Sequence, residues 1–131
     1  MILNRFALYV FLFISNLSFS QDEIGLTYNE VNKVIEKEKI ALDKINRANG
    51  SIYVNYPKFT KYWYIQNNIC TSHLIVPNSD QDLADLYDLY NSKYTVRGTN
   101  VWSFIDSRGN SIAVVYSKSY GGFYFMVEPK D

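Results

Sequence analysis

The chain is predicted to fold as α+β, with one antiparallel β-sheet and two α-helices packed on one of its faces. Three observations carry this reading. Two segments have the spacing of helix N-terminal caps, Thr27 with Glu30 and Ser79 with Asp82. Each is followed by short β-rich runs joined by turn residues. Tyr62-Trp-Tyr-Ile and Val101-Trp-Ser-Phe open hairpins in the same way, so the halves read as a repeated α-β-β unit.

Met1–Ser20 stand outside that fold. Asn4-Arg5 makes a short basic start, Phe6–Ile14 is an unbroken apolar run, and Ser18 and Ser20 put small residues before Gln21. This is the order of a secretory signal peptide, with an apolar core too short to span a bilayer comfortably. The expectation is cleavage before Gln21, a periplasmic or extracellular location and no stable membrane insertion afterwards; the alternative is an uncleaved anchor. No cysteine follows the apolar run, which leaves no residue for lipidation at the cleavage point. The Ser-Phe-Ser-Gln ending is similar to export signals common in Bacteroidetes.

Residues 21–131 suit a single domain able to bury its own core. The full chain carries 13 Lys+Arg and 13 Asp+Glu, and loss of Arg5 leaves one net negative charge. That balance gives no basic surface for nucleic acid or an anionic membrane. A single cysteine cannot form an internal disulfide, so Cys70 is either buried and inert or a point of intermolecular pairing, and burial is expected. Asn49-Gly-Ser fits a glycosylation acceptor if the source is eukaryotic.

Along the chain, Thr27 and Glu30 open the first helix, with Leu26 and Val31 at the positions of a hydrophobic staple. The helical period is firm to Glu38. Ile40–Ile45 then either continues the helix towards a Gly50 cap or forms a strand turning at Asn49-Gly50, and continuation is expected. The Gly25-x-Thr-x-x-Glu-Val31 opening resembles small periplasmic proteins of β-lactamase-inhibitor-protein or SmpA/OmlA-like architecture. That resemblance implies binding and assembly proteins without catalytic residues, and it transfers no site. The lipobox and cysteine pair of those families are missing here.

Ile52–Tyr56 alternates as a strand stopped by Pro57, and Lys58–Lys61 reads as a connector. Tyr62–Gln66 and Ile69–Val76 then form a hairpin turning at Asn67-Asn68, since Asn tolerates positive φ. In a regular ladder Trp63 faces Ser72 and Tyr62 faces His73. Trp63, Ile65, Cys70, Leu74 and Val76 then share the core face, and Tyr62, Tyr64, Gln66, Thr71 and His73 the other. Ile69 and Ile75 sit uneasily on that second face.

After Pro77, a second helix presents Leu83, Leu86, Tyr87, Tyr90 and Tyr94 on one side. Asp80, Asp82, Asp85 and Asp88 crowd its start; they lack calcium-loop spacing and complement the helix dipole. Asn100–Ile105, Ser111–Tyr116 and Phe123–Val127 are further strands, turning at Asp106–Asn110 and Ser119–Gly122.

The supply of catalytic groups is thin. Cys70 and His73, three apart on a strand, should point to opposite faces and so form neither a metal pair nor a nucleophile–base pair. No phosphate-binding glycine loop is present, and no cofactor or metal is expected. Of the 12 tyrosines only Tyr9 lies in the leader. Tyr53, Tyr62, Tyr64, Tyr124 and His73 are the candidates for an open sheet face that binds a partner. The expectation is a non-catalytic protein that holds an envelope protein or glycan. The alternatives are an inhibitor or immunity-type protein with one tight partner and, ranked lower, a small hydrolase with paired carboxylates.

Overall fold

A computed structural model describes residues 23–48, 50–119 and 122–130. The expected signal segment, Asn49 of the expected glycosylation motif and the centre of the turn between residues 119 and 122 lie outside the described residues. The elements in chain order are α1 (Tyr28–Lys37), β1 (Ile45–Ala48), β2 (Ser51–Asn55), β3 (Phe59–Gln66), β4 (Ile69–Pro77), α2 (Asp80–Lys93), β5 (Thr95–Gly98), β6 (Val101–Ile105), β7 (Ser111–Ser119) and β8 (Gly122–Pro129). The strands form one sheet in the order β1-β2-β3-β4-β8-β7-β6-β5, and every pairing is antiparallel. The fold is α+β, as expected. The repeat is larger than expected, because each half is a helix followed by four strands. The halves join where β4 pairs with β8.

α1 opens as its residues dictate. The Thr27 hydroxyl accepts the Glu30 N–H at 3.2 Å, and the Glu30 carboxylate accepts the Thr27 N–H at 3.1 Å. The end of α1 corrects the sequence reading. The helix stops at Lys37 instead of running towards Gly50. Lys39 takes the left-handed conformation (φ 53°), and its N–H donates to the Glu36 carbonyl at 3.2 Å, an interior bond of a Schellman-type closure. A 3₁₀ turn at Leu42–Lys44 follows, and Ile45 then enters β1 opposite Val54. The strand alternative is therefore the one adopted, with Gly50 supplying the positive φ (76°) of the β1–β2 turn. In α2, the Ser79 hydroxyl accepts the Asp82 N–H at 3.1 Å, and this helix ends at Lys93.

The β3–β4 hairpin turns where expected, with Asn67 and Asn68 at φ 50° and 64°, the double positive φ of a two-residue type I′ turn. Its register departs from the expected ladder. Ile65 pairs with Cys70, but Tyr64 pairs with Ser72, which leaves Thr71 as a β-bulge. Beyond the bulge every β4 side chain has moved by one position. Trp63 pairs with His73 and Tyr62 with Leu74. Lys58–Lys61 is also more than a connector, since β3 begins at Phe59.

Both helices pack on the same sheet face. Under α1, Val31 and Ile35 meet Ile52, Val54, Trp63 and Cys70. Under α2 the core is aromatic: Tyr90 stands edge-on to Phe125 at 4.9 Å, Tyr87 edge-on to Trp102 at 5.0 Å, and Tyr94 stacks on Phe104 at 4.4 Å. Such pairs contribute about 0.5–1.5 kcal/mol each beyond their burial. The aromatic surplus of the sequence is thus largely absorbed by the second core.

The segment before α1 ties the halves together. The Gly25 N–H donates to the Cys70 carbonyl at 2.8 Å, and the Cys70 N–H returns a bond to the Leu26 carbonyl at 2.7 Å. Gly25 sits at φ 91°, a conformation that a side chain would strain. Ile24 belongs to the second core, whereas Leu26 packs against the first. The Arg108 guanidinium, from the turn between β6 and β7, donates to the Ile24 carbonyl.

Candidate binding face of the sheet

Strand alternation gives the helices one set of side chains and leaves the other set uncovered by any described element. One cross-sheet row on this open face runs through six strands: Tyr53, Tyr62, Leu74, Met126, Val115 and Val101, each paired with the next. No member carries a charge, and each is partly exposed. Tyr62 stacks with Tyr53 at 5.1 Å and 29°, and with Tyr64 at 6.5 Å and 11°. The three tyrosines thus form one cluster on this face. Burial, and then the neighbouring Tyr62, push the Tyr64 phenol up, so it stays protonated and able to donate.

Between this ladder and β8 lies an open depression of about 520 Å³, lined by Tyr62, Tyr64, Leu74, Val76, Tyr124 and Met126 among others. Leu74, Val76 and Met126 give it an aliphatic lining, and its three tyrosines with Phe123 an aromatic one. The open face keeps its charges at the margins. Glu128 lies on β8 opposite Ala113, and the Arg97 Nε donates to the Ser103 hydroxyl at 2.7 Å.

The structure places four of the five expected residues, Tyr53, Tyr62, Tyr64 and Tyr124, on this face, and three of them line the depression. His73 is a correction. The bulge at Thr71 carries it to the helix-covered face, where it is fully buried against the edge of Trp63 at 6.3 Å and cannot touch a partner. The same shift sends Leu74 and Val76, expected in the core, to the open face. Ile75 becomes core. The uneasy position of Ile75 in a regular ladder is the sequence signal that marks the register break.

Cys70 and His73 therefore share a face, against the expectation that they lie back to back. Cys70 packs under α1 and His73 against Trp63, both in the field of Lys61, whose Nζ lies 3.3 Å from the Glu23 carboxylate. Burial, followed by the Glu23 charge, pushes the Cys70 thiol up to about 12. Burial, followed by the Lys61 charge, holds the His73 imidazole well below its usual range. A nucleophilic thiolate paired with imidazolium needs both shifts reversed. In this setting the thiol keeps its proton and the imidazole stays neutral. Among the described residues no group of three or more His, Cys, Asp and Glu side chains is arranged to hold a metal ion. The acidic start of α2 is exposed, and Asp85 lies 3.6 Å from Lys58.

Comparison of the chain with known families, with curated proteins and with solved structures finds no match.

Proposed function

We propose that the protein is an exported, non-catalytic binding module that holds its partner on the open sheet face. The observation that supports this reading most directly is the uncharged row from Tyr53 to Val101, with a depression lined by aliphatic and aromatic side chains. Interface centres are depleted in charge and enriched in aromatic residues and methionine. Tyrosine adds contact area at low entropic cost. Of the two partner classes, the ring arrangement favours a protein over a glycan. A sugar stacks on a flat, exposed ring face, and the Tyr62 ring has neighbours stacked at both Tyr53 and Tyr64. Tyrosine side chains beside aliphatic ones suit an apolar side chain of a protein partner surrounded by backbone polar groups. An inhibitor or immunity-type role, with one tight partner, would use the same face.

Native capture from an envelope fraction tests the reading. The wild type should retain a stoichiometric protein partner. Leu74→Asp and Tyr62→Ala should each weaken that capture by at least about tenfold, the size of a modest hot spot, without loss of cooperative unfolding. Equal capture by all three proteins would remove the open face from consideration. Export is tested separately by the mass of the protein recovered outside the cytoplasm, which should begin at Gln21; recovery of a chain starting at Met1 argues against cleavage.

A further inference from the structure

We propose that the cavity between the C-terminal end of α1 and the β2–β3 corner is a second binding site, for a small apolar organic anion whose charge is met by Lys39 and Lys44. Its volume of about 480 Å³ is that of a small-molecule pocket. The lining comes from three stretches of chain: the helix end, the 3₁₀ turn and the corner at Tyr56-Pro57. Ile40, Pro57 and the Tyr56 ring supply apolar walls, and the two lysines supply the cationic rim.

Three features of these residues are hard to account for by folding alone. Lys39 occupies the left-handed position just beyond the helix cap, where glycine is the favoured residue and a β-carbon is strained. A lysine kept there places its side chain on the cavity. Lys44 converges on the same cavity from the 3₁₀ turn, although it is remote from Lys39 along the helical period because the helix has ended. The one carboxylate in the wall, Glu38, is already engaged, since the Tyr56 hydroxyl donates to its Oε2 at 2.5 Å. Burial also pushes the Glu38 carboxyl up. Two ammonium groups against this single, internally bonded carboxylate leave the wall with net positive character. This site is independent of the open-face reading and can fail or hold by itself.

Titration of the full mature chain with anilinonaphthalene sulfonate, an aromatic monoanion that fluoresces when desolvated, tests the assignment. One saturable site is expected. Lys44→Ala and Lys39→Gly should each weaken it by about tenfold, the loss of one charge-assisted contact. Lys39→Gly relieves the left-handed backbone, so its melting temperature should stay level or rise, and lost binding cannot be ascribed to unfolding. Tyr62→Ala on the open face should leave the affinity unchanged, and uncharged anilinonaphthalene should bind more weakly than the sulfonate. No saturable binding at millimolar probe, equal affinity in both lysine variants, or loss of binding in Tyr62→Ala would each overturn the proposal.

Discussion

Lys61→Met is expected to destabilise the protein by about 3–5 kcal/mol at neutral pH, the range for breaking a buried ion pair from one side. Lys61 points to the helix-covered face of β3 and is only 3% exposed. Its ammonium lies 3.3 Å from Glu23 Oε1 and 4.8 Å from the centre of the Trp63 ring. Glu23 is itself buried, and its Oε2 has no hydrogen-bond partner among the described residues. Removing the ammonium leaves that carboxylate in low dielectric without this counter-charge. Methionine fills nearly the same space, so packing contributes little to the loss. The double variant Glu23→Gln/Lys61→Met should recover most of the stability, because a buried pair replaced as a unit is often close to neutral. Urea unfolding of the three proteins measures both effects. A single variant within about 1 kcal/mol of wild type would mean that the pair is not energetically coupled.

Acidification from neutral pH is expected to weaken the fold through His73. Its imidazole is fully buried, and burial first, then the nearby Lys61 charge, hold its folded-state pKa well below the usual value. In the unfolded chain the ring titrates near about 6.5. Below that pH the unfolded state takes up a proton that the folded state refuses, so stability rises with pH across the window and falls as pH drops. The slope from this one group approaches about 1.4 kcal/mol per pH unit between the unfolded value and the lower folded one. Glu38 acts with the opposite sign, because its raised carboxyl favours proton uptake by the folded state. The decisive comparison is therefore between wild type and His73→Gln, which cannot titrate. Unfolding free energies between about pH 5 and 7.5 should converge as pH falls, the wild type losing stability faster. Parallel profiles would show that the imidazole titrates alike in both states.

The elements read correctly from sequence are those written in neighbouring residues. Thr27 and Glu30 specify a helix start within one turn, and Asn67-Asn68 specifies a hairpin within two residues. The elements misread carry no such local signature. β1 and β5 are short edge strands with polar members such as Asn46, Arg47 and Arg97, so no apolar alternation marks them. Lys61 reads as connector because its charge suggests solvent, whereas Glu23, distant in sequence, makes it tolerable inside. The same holds for the candidate face. Four tyrosines were legible from simple alternation within their strands. Leu74, Val76 and His73 were not, because a single extra residue at Thr71 inverts everything downstream of it, and Ile75 signals the break without locating it; the pairing partner does that. Met126 was missed for a different reason: it borders the depression only because β8 lies beside β4.

The near-mirror strand order has a further consequence for whatever rests on the sheet. The frame is balanced about the β4–β8 seam, but its furnishing is not: one flank offers Tyr53 and Tyr62, and the matching places on the other hold Val101 and Val115. A partner on the proposed face would therefore meet tyrosines on one flank and smaller aliphatic residues on the other. Rotating such a partner by half a turn would exchange the tyrosine flank for the valine one, so the proposed face would favour one orientation over the other.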